Sequence, residues 1–338
     1  MTDSAPHPPR RRRVLLASAV LVALGLTGAF AVGTAPARAD DSAGGVAWSV
    51  RTADNANGNA RANFIYDVDP GAVIEDAMVV VNTGTEALPL AVYAADAFTA
   101  SSGEIDVVVD GTPSVDAGTW VDVTSATLEL APGQQTEVAF TITVPADARP
   151  GDHAAGIVTS LQTTDASQSL SVDRRLGTRI NLRVAGELAP AAAVSNVEAS
   201  YTPSWNPFAP GVLTISYALE NSGNTRITGL ETIAVAGPGG LLGTTFAPTQ
   251  LAEVIPGSTI EVATEVPTLS LGWLSGSATV TPEGVGLGAG SVAPVAMEFS
   301  IAAVPWSLYA LLLLVVGAAV LVVALIRRRE RRRTASSA

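Results

Sequence analysis

From about residue 40 to residue 304, apolar and polar positions alternate in short runs broken by turn residues. Residues 64–68, 77–81, 88–94, 105–109 and 136–144 have period two, which sends one side of a strand to a core and the other to water. Asn82-Thr83-Gly84, Asp110-Gly111 and Pro132-Gly133 separate these runs with residues suited to turns. With 31 Gly and 21 Pro in the chain, long helices are disfavoured, and the pattern predicts none longer than two turns between Asp40 and Val304. Two continuous apolar stretches break the alternation. The first, 14–32, follows Arg10-Arg11-Arg12-Arg13 and closes with Ala37-Arg38-Ala39, the layout of a secretory signal peptide covering 1–39. An uncleaved anchor is the other reading of this segment. The second, 306–326, carries no charge and at 1.5 Å per residue spans about 31 Å, one bilayer core. Six arginines between 327 and 333 follow it, the flank expected on the cytoplasmic side. The expected topology is a single-pass membrane protein: an outer part, a helix at 304–326 and a basic cytoplasmic tail at 327–338.

The outer part repeats itself. Val79-Val80-Val81-Asn82-Thr83-Gly84 matches Tyr217-Ala218-Leu219-Glu220-Asn221-Ser222-Gly223. Leu130-Ala131-Pro132-Gly133, with the strand after it ending at Val144-Pro145, matches Val254-Ile255-Pro256-Gly257 and the strand ending at Val266-Pro267. The offset falls between the two pairs of motifs, so the first copy holds extra residues near 96–125. A strand, an Asn-x-Gly turn, Pro-Gly and a second strand suit two tandem Ig-like β-sandwiches, at 40–186 and 187–303. The expected fold class is therefore all-β.

Composition narrows the chemistry. Residues 40–304 hold 29 acidic side chains against 8 arginines, a formal charge of −21. That argues against nucleic acid and against lying flat on anionic lipid. There is no lysine, which removes Schiff-base, P-loop and Ser-x-x-Lys chemistry. There is no cysteine, so no disulfide, thiolate or Cys-type metal site exists. No cofactor is expected.

The order of motifs in the first copy carries a resemblance. Pro70-Gly71, Asn82 after a strand, Ala94-Ala95-Asp96-Ala97-Phe98-Thr99, Ser102-Gly103-Glu104-Ile105 and Leu130-Ala131-Pro132-Gly133 come first. Val144-Pro145, Pro150-Gly151-Asp152-His153 and Gly156-Ile157 follow. This resembles the peptidoglycan-binding domain of the WxL-interacting proteins in the form typical of high-G+C Gram-positive cells. The second copy is similar to the β-sandwich that follows in those proteins. The resemblance spans roughly 46–303. It implies non-catalytic attachment to peptidoglycan or another cell-wall polymer, and contact with WxL-type or other surface proteins. It names no binding residue. A spacer without a ligand and a cell-wall glycan hydrolase are the rival functions.

The candidate sites are few. In 171–184, even positions carry Val172, Leu176, Ile180, Leu182 and Val184, while Arg175, Arg179 and Arg183 stand on the wet face about 13 Å apart. Arg174 falls on the apolar parity, where a charge needs a partner or a bulge. This ladder meets either ligand carboxylates or the domain's own Asp and Glu; the excess of acid favours the second. Trp205 and Phe208, bracketed by prolines, either stack on sugar faces or fold inward as a lid on the second sandwich, and the lid is the expectation for a short loop. Trp120 and Trp273 are expected in the core. His153 is the one histidine of the outer part and stands beside Asp152, with no triad around it. Glu104, Asp106 and Asp110 share a strand face; their spacing is not that of a Ca²⁺ loop, and a solvated acidic face is the expectation.

Overall fold

The computed structural model describes residues 45–165, 170–286 and 290–335; the expected leader at 1–39 lies outside them. The described chain is all-β apart from one long helix. One sheet of the first sandwich has the order β1 (Trp48–Thr52), β3 (Val73–Asn82), β8 (Gln135–Thr143), β6 (Val121–Val123). The facing sheet runs β2 (Phe64–Val68), β10 (Leu170–Val184), β9 (Gly151–Asp165), β4 (Leu88–Thr99), β5 (Ile105–Val107), with β7 (Thr127–Leu130) also on β4. Pairing is antiparallel except that β2 lies parallel to β10, with Phe64 opposite Ile180. Phe64, Met78, Phe140, Ile142, Ile180 and Leu182 fill the space between the sheets. Phe64 meets Phe140 edge-on at 5.0 Å, a favourable aromatic geometry.

The second sandwich sets β11 (Ala193–Thr202), β12 (Gly211–Glu220) and β16 (Thr259–Thr268) against β14 (Thr244–Thr245), β13 (Ile227–Ala236), β17 (Gly272–Gly284) and β18 (Val295–Ala303). Its β15 (Thr249–Val254) pairs with β13. Leu213, Ile215, Tyr217, Ile227, Leu274 and Val280 form its core. Between the described strands the helices are single 3-10 turns, Ala117–Trp120 and Pro238–Gly240. The helix α1 (Trp306–Ala335) is long and apolar enough to cross a membrane, and its apolar window is not buried against the sandwiches.

The repeat is reproduced down to individual hydrogen bonds. Asn82 Nδ2 donates to Glu86 O (2.8 Å) and Leu130 O (2.9 Å), while its Oδ1 accepts from Gly84 N (3.0 Å). Asn221 Nδ2 donates to Thr225 O (2.7 Å) and Val254 O (2.8 Å), and its Oδ1 accepts from Gly223 N (3.1 Å). The two buried amides satisfy the same backbone groups four residues on and at the strand before Pro-Gly, which is why an Asn is required at both places. The extra residues of the first copy form β5, the turn Ala117–Trp120 and β6.

Asp76 on β3 fixes the segment after β1. Its buried carboxylate accepts from Arg61 Nη1 (2.7 Å) and Nη2 (3.0 Å), Tyr66 OH (2.5 Å), Asn55 Nδ2 (2.7 Å) and Asn57 Nδ2 (3.0 Å). Burial alone would raise its pKa; the donors from Arg61, Tyr66, Asn55 and the Ala77 N–H outweigh it and hold the carboxyl well below its usual range.

Two strand expectations are corrected. The run 105–109 is a strand only to Val107, so Glu104 and Asp110 lie off it. The alternation in 171–184 fails in its first half, where Val172 and Leu176 are exposed. Only Ile180 to Val184 of β10 pairs with β2. Residues before Arg175 run past β4, which pairs with β9 only as far as Ser160, and form an overhang that carries Val172; Leu176 stands where β10 is the sheet edge, before β2 joins it at Ile180.

Candidate functional site

The β9 strand is buried on both faces from Gly151 to Ser160. One face packs into its own sandwich. At the start of the strand, the other meets the second sandwich, so the usual parity rule does not expose Asp152 and His153. Gly151 makes this approach possible: with φ at +123° it stands where a side chain would collide with Asn224 O, and Asp152 N donates to that carbonyl at 2.7 Å. Asp152 is the centre of the contact. Arg183 Nε and Nη2 grip its carboxylate at 2.7 and 2.8 Å, and Arg226 N–H donates to it at 2.7 Å from the second sandwich. The Arg226 side chain lies 3.6 Å from Asp152 and also donates to Glu253 at 3.1 Å. Glu253 in turn accepts from Arg179 at 3.1 Å. Arg183 additionally reaches Val285 O at 2.6 Å.

Two rungs of the arginine ladder, Arg179 and Arg183, are thus joined to carboxylates within the molecule. Asp152, Arg226 and Glu253 carry no sequence signal of this role; Arg226 is only recognisable as a charge soon after the Asn221 turn. Around the ions the contact is closed by Thr99, whose N–H donates to Ser258 Oγ (3.0 Å) and whose Oγ1 accepts from Ile255 N (3.0 Å). Ala97, Ala154 and Ile255 form a small apolar cluster there.

Arg175 differs from these rungs. It lines a groove of about 570 Å³ formed by β5, β9 and β10, with Asn63, Asp106, Asp173, Thr178 and Arg179 also on its walls. Its ion pair with Asp173 is long, 3.7 Å. The Tyr93 hydroxyl beside the guanidinium raises its pKa. Gly156 keeps the groove's floor low, since a Cβ there would strike Val107 on β5. Arg174 is exposed on the overhang and donates to Val46 O at 3.3 Å.

His153 is held at both nitrogens. Nδ1 lies 2.8 Å from each oxygen of Asp116, and Nε2 donates to Arg149 O at 2.9 Å. An imidazole that donates at both positions is a cation. Burial alone would lower its pKa, but Asp116 and the Arg149 carbonyl prevail and raise it. Trp120 packs against the ring at 4.7 Å. A raised folded pKa means that this stabilisation is full below the unfolded value, about 6.5, and is lost as pH rises through the folded value. The melting temperature should therefore fall between neutral and alkaline pH, and His153→Gln should flatten that slope. An equal slope in both proteins would show that the pair contributes nothing.

The aromatics divide. Trp120 is half-buried against the first core. Trp273 is 47% exposed, which corrects the expectation of a core position. Trp205 and Phe208 are 97% and 80% exposed, so the loop does not fold inward as a lid. Neither ring belongs to the core of the second sandwich. Among the described residues no group of three His, Asp or Glu side chains could hold a metal ion.

No family model matches the chain, and no curated protein sequence matches it. Solved structures with a similar fold include the class 5 fimbriae chaperone CfaA, at 12% identity over 76% of this chain and 100% of that one, with a TM-score of 0.33. The YadV chaperone (11% identity, 75% and 99%, TM-score 0.34) and the E. coli chaperone DraB (11%, 76% and 99%, TM-score 0.30) are two more.

Proposed function

We propose that the chain is a non-catalytic cell-surface protein, anchored by α1 with its sandwiches outside, whose first sandwich binds peptidoglycan. The observation that carries the reading is the groove at Arg175. Its volume of about 570 Å³ falls in the range of small-molecule sites, and it offers a guanidinium, an amide, a hydroxyl and carboxylates in one concavity. Peptidoglycan stems present carboxylates and amides, and its sugars present hydroxyls and acetamido groups, so donors and acceptors meet counterparts on both sides. The family resemblance of the first sandwich points to the same ligand. The non-catalytic reading is supported by His153, whose two nitrogens are both committed to acceptors and leave no lone pair for a general base. The outward orientation is supported by the arginines after Ile326.

The experiment is retention of the full chain, in detergent, on purified protein-free cell wall. Arg175→Gln should weaken retention about 10- to 100-fold, the loss of a charge-assisted hydrogen bond of about 1.5–3 kcal/mol. Its melting temperature should barely move, because the ion pair with Asp173 is long and partly solvated. Arg179→Gln serves as the contrast: it lines the groove but also holds Glu253, so it should lower stability. Unchanged retention in a well-folded Arg175→Gln protein would overturn the reading.

A further inference from the structure

The strand registers gather four connections at one end of the second sandwich. Gly211 is opposite Thr268, Ala236 is opposite Ser275, and Gly272 is opposite Ala303. The loops 203–210, 237–243 and 269–271 therefore emerge together, beside the exit of β18 into α1. None of these loops contains a charged residue, in an outer segment whose formal charge is −21. Each presents large apolar side chains to its surroundings: Trp205 and Phe208 on the first, Leu241 and Leu242 on the second, Leu269 and Leu271 on the third. Trp273, at the edge of the third, is also exposed.

Two of the loops are bonded to the first turn of the helix. Ser307 Oγ donates to Ser204 O at 2.6 Å, and Tyr309 OH donates to Leu271 O at 2.9 Å. The apolar span starts at Trp306. These two loops are thus tied to side chains within about one helical turn, roughly 5 Å, of the residue where that span begins. Trp and Tyr favour the water–lipid boundary, where an apolar ring and a polar edge are both satisfied. An uncharged apolar patch of this kind on a strongly acidic body marks an interaction surface.

We propose that the three loops form an aromatic and aliphatic collar that enters the lipid headgroup layer around α1. The collar holds the second sandwich end-on against the bilayer, and the acidic flanks stay clear of the lipid. This rests on the reading that α1 spans the membrane. The occupant of the surface is lipid because the patch is continuous with the apolar span and is fixed at its boundary. A protein partner would be an outcome of the test.

The absence of cysteine allows single labels. The full chain is reconstituted into phosphatidylcholine vesicles with an environment-sensitive fluorophore on Asn206→Cys, on Gln134→Cys in the first sandwich, or on Val316→Cys in α1. The label at 316 should be shielded from an aqueous quencher and quenched by lipids carrying a quencher in the acyl chain. The label at 134 should behave as in water. The label at 206 should be shielded from the aqueous quencher and respond to a quencher attached at the headgroup. Trp205→Ser with Phe208→Ser, both outside the cores, should abolish the shielding at 206. A label at 206 as accessible as that at 134, with 316 in the acyl chains, would overturn the collar and keep the anchor. So would shielding at 206 that a lipid-borne quencher does not reach, which is what a protein or second copy on the patch would give. A label at 316 in water would overturn the spanning reading itself.

Discussion

Asp152→Asn should lower the stability of the folded body by about 3–5 kcal/mol, the cost of removing one partner from a buried ion pair. For sandwiches of this size that is a fall in melting temperature on the order of 10 °C. The carboxylate is almost entirely buried and takes both prongs of Arg183 together with the Arg226 N–H. The neutral amide keeps the volume but leaves the Arg183 and Arg226 guanidinium groups under-compensated where water cannot replace the charge. The mutant also tests how the two sandwiches are joined. In a double-mutant cycle, adding Arg183→Gln to Asp152→Asn should cost much less than the separate effects combined, because both changes remove one interaction. Thermal unfolding of the full chain in detergent measures this. A melting temperature within the error of the parent would show that the contact between sandwiches does not depend on this ion cluster.

Asp76→Ala should be as damaging, again by about 3–5 kcal/mol, because it strands the Arg61 guanidinium charge and leaves Tyr66 OH and Asn55 Nδ2 without their acceptor. It should also change the acid limb of the stability curve. In the unfolded chain an Asp takes up its proton near 3.9, whereas the folded carboxyl is held well below that. Below about pH 4 the unfolded state therefore binds more protons, and the contribution is lost as pH falls toward the folded value. Asp76→Asn should start less stable at neutral pH and lose less on acidification. Parallel curves for parent and variant between neutral pH and pH 3 would refute this account. The His153–Asp116 pair acts at the opposite end of the range, so the two variants should alter different limbs of one profile.

What could be read in the residues were the local features. Period two over 64–68, 77–81 and 88–94 gave strands that the structure contains. The Asn-x-Gly motifs of the two copies carry the same hydrogen bond to the carbonyl four residues on, since an amide side chain that close to its acceptor acts within its own turn. The uncharged run from Trp306 is a helix because nothing in it competes with one. The extra residues of the first copy fell where β5 and β6 are found.

The tertiary structure decided which charges meet and which faces are covered. Arg179 and Glu253 are 74 residues apart and in different sandwiches, and no spacing rule reaches that far. The buried parity of β10 failed at Val172 and Leu176 because burial depends on neighbouring strands: Val172 lies past the end of β4, and Leu176 lies on the sheet edge before β2 joins β10. Trp205 and Phe208 turn outward and stay out of the second core, a choice made by the packing around the loop and not by the loop's own residues. Sequence periodicity specifies the direction of each side chain relative to its own strand. What lies in that direction is fixed only when strands distant in the chain have packed.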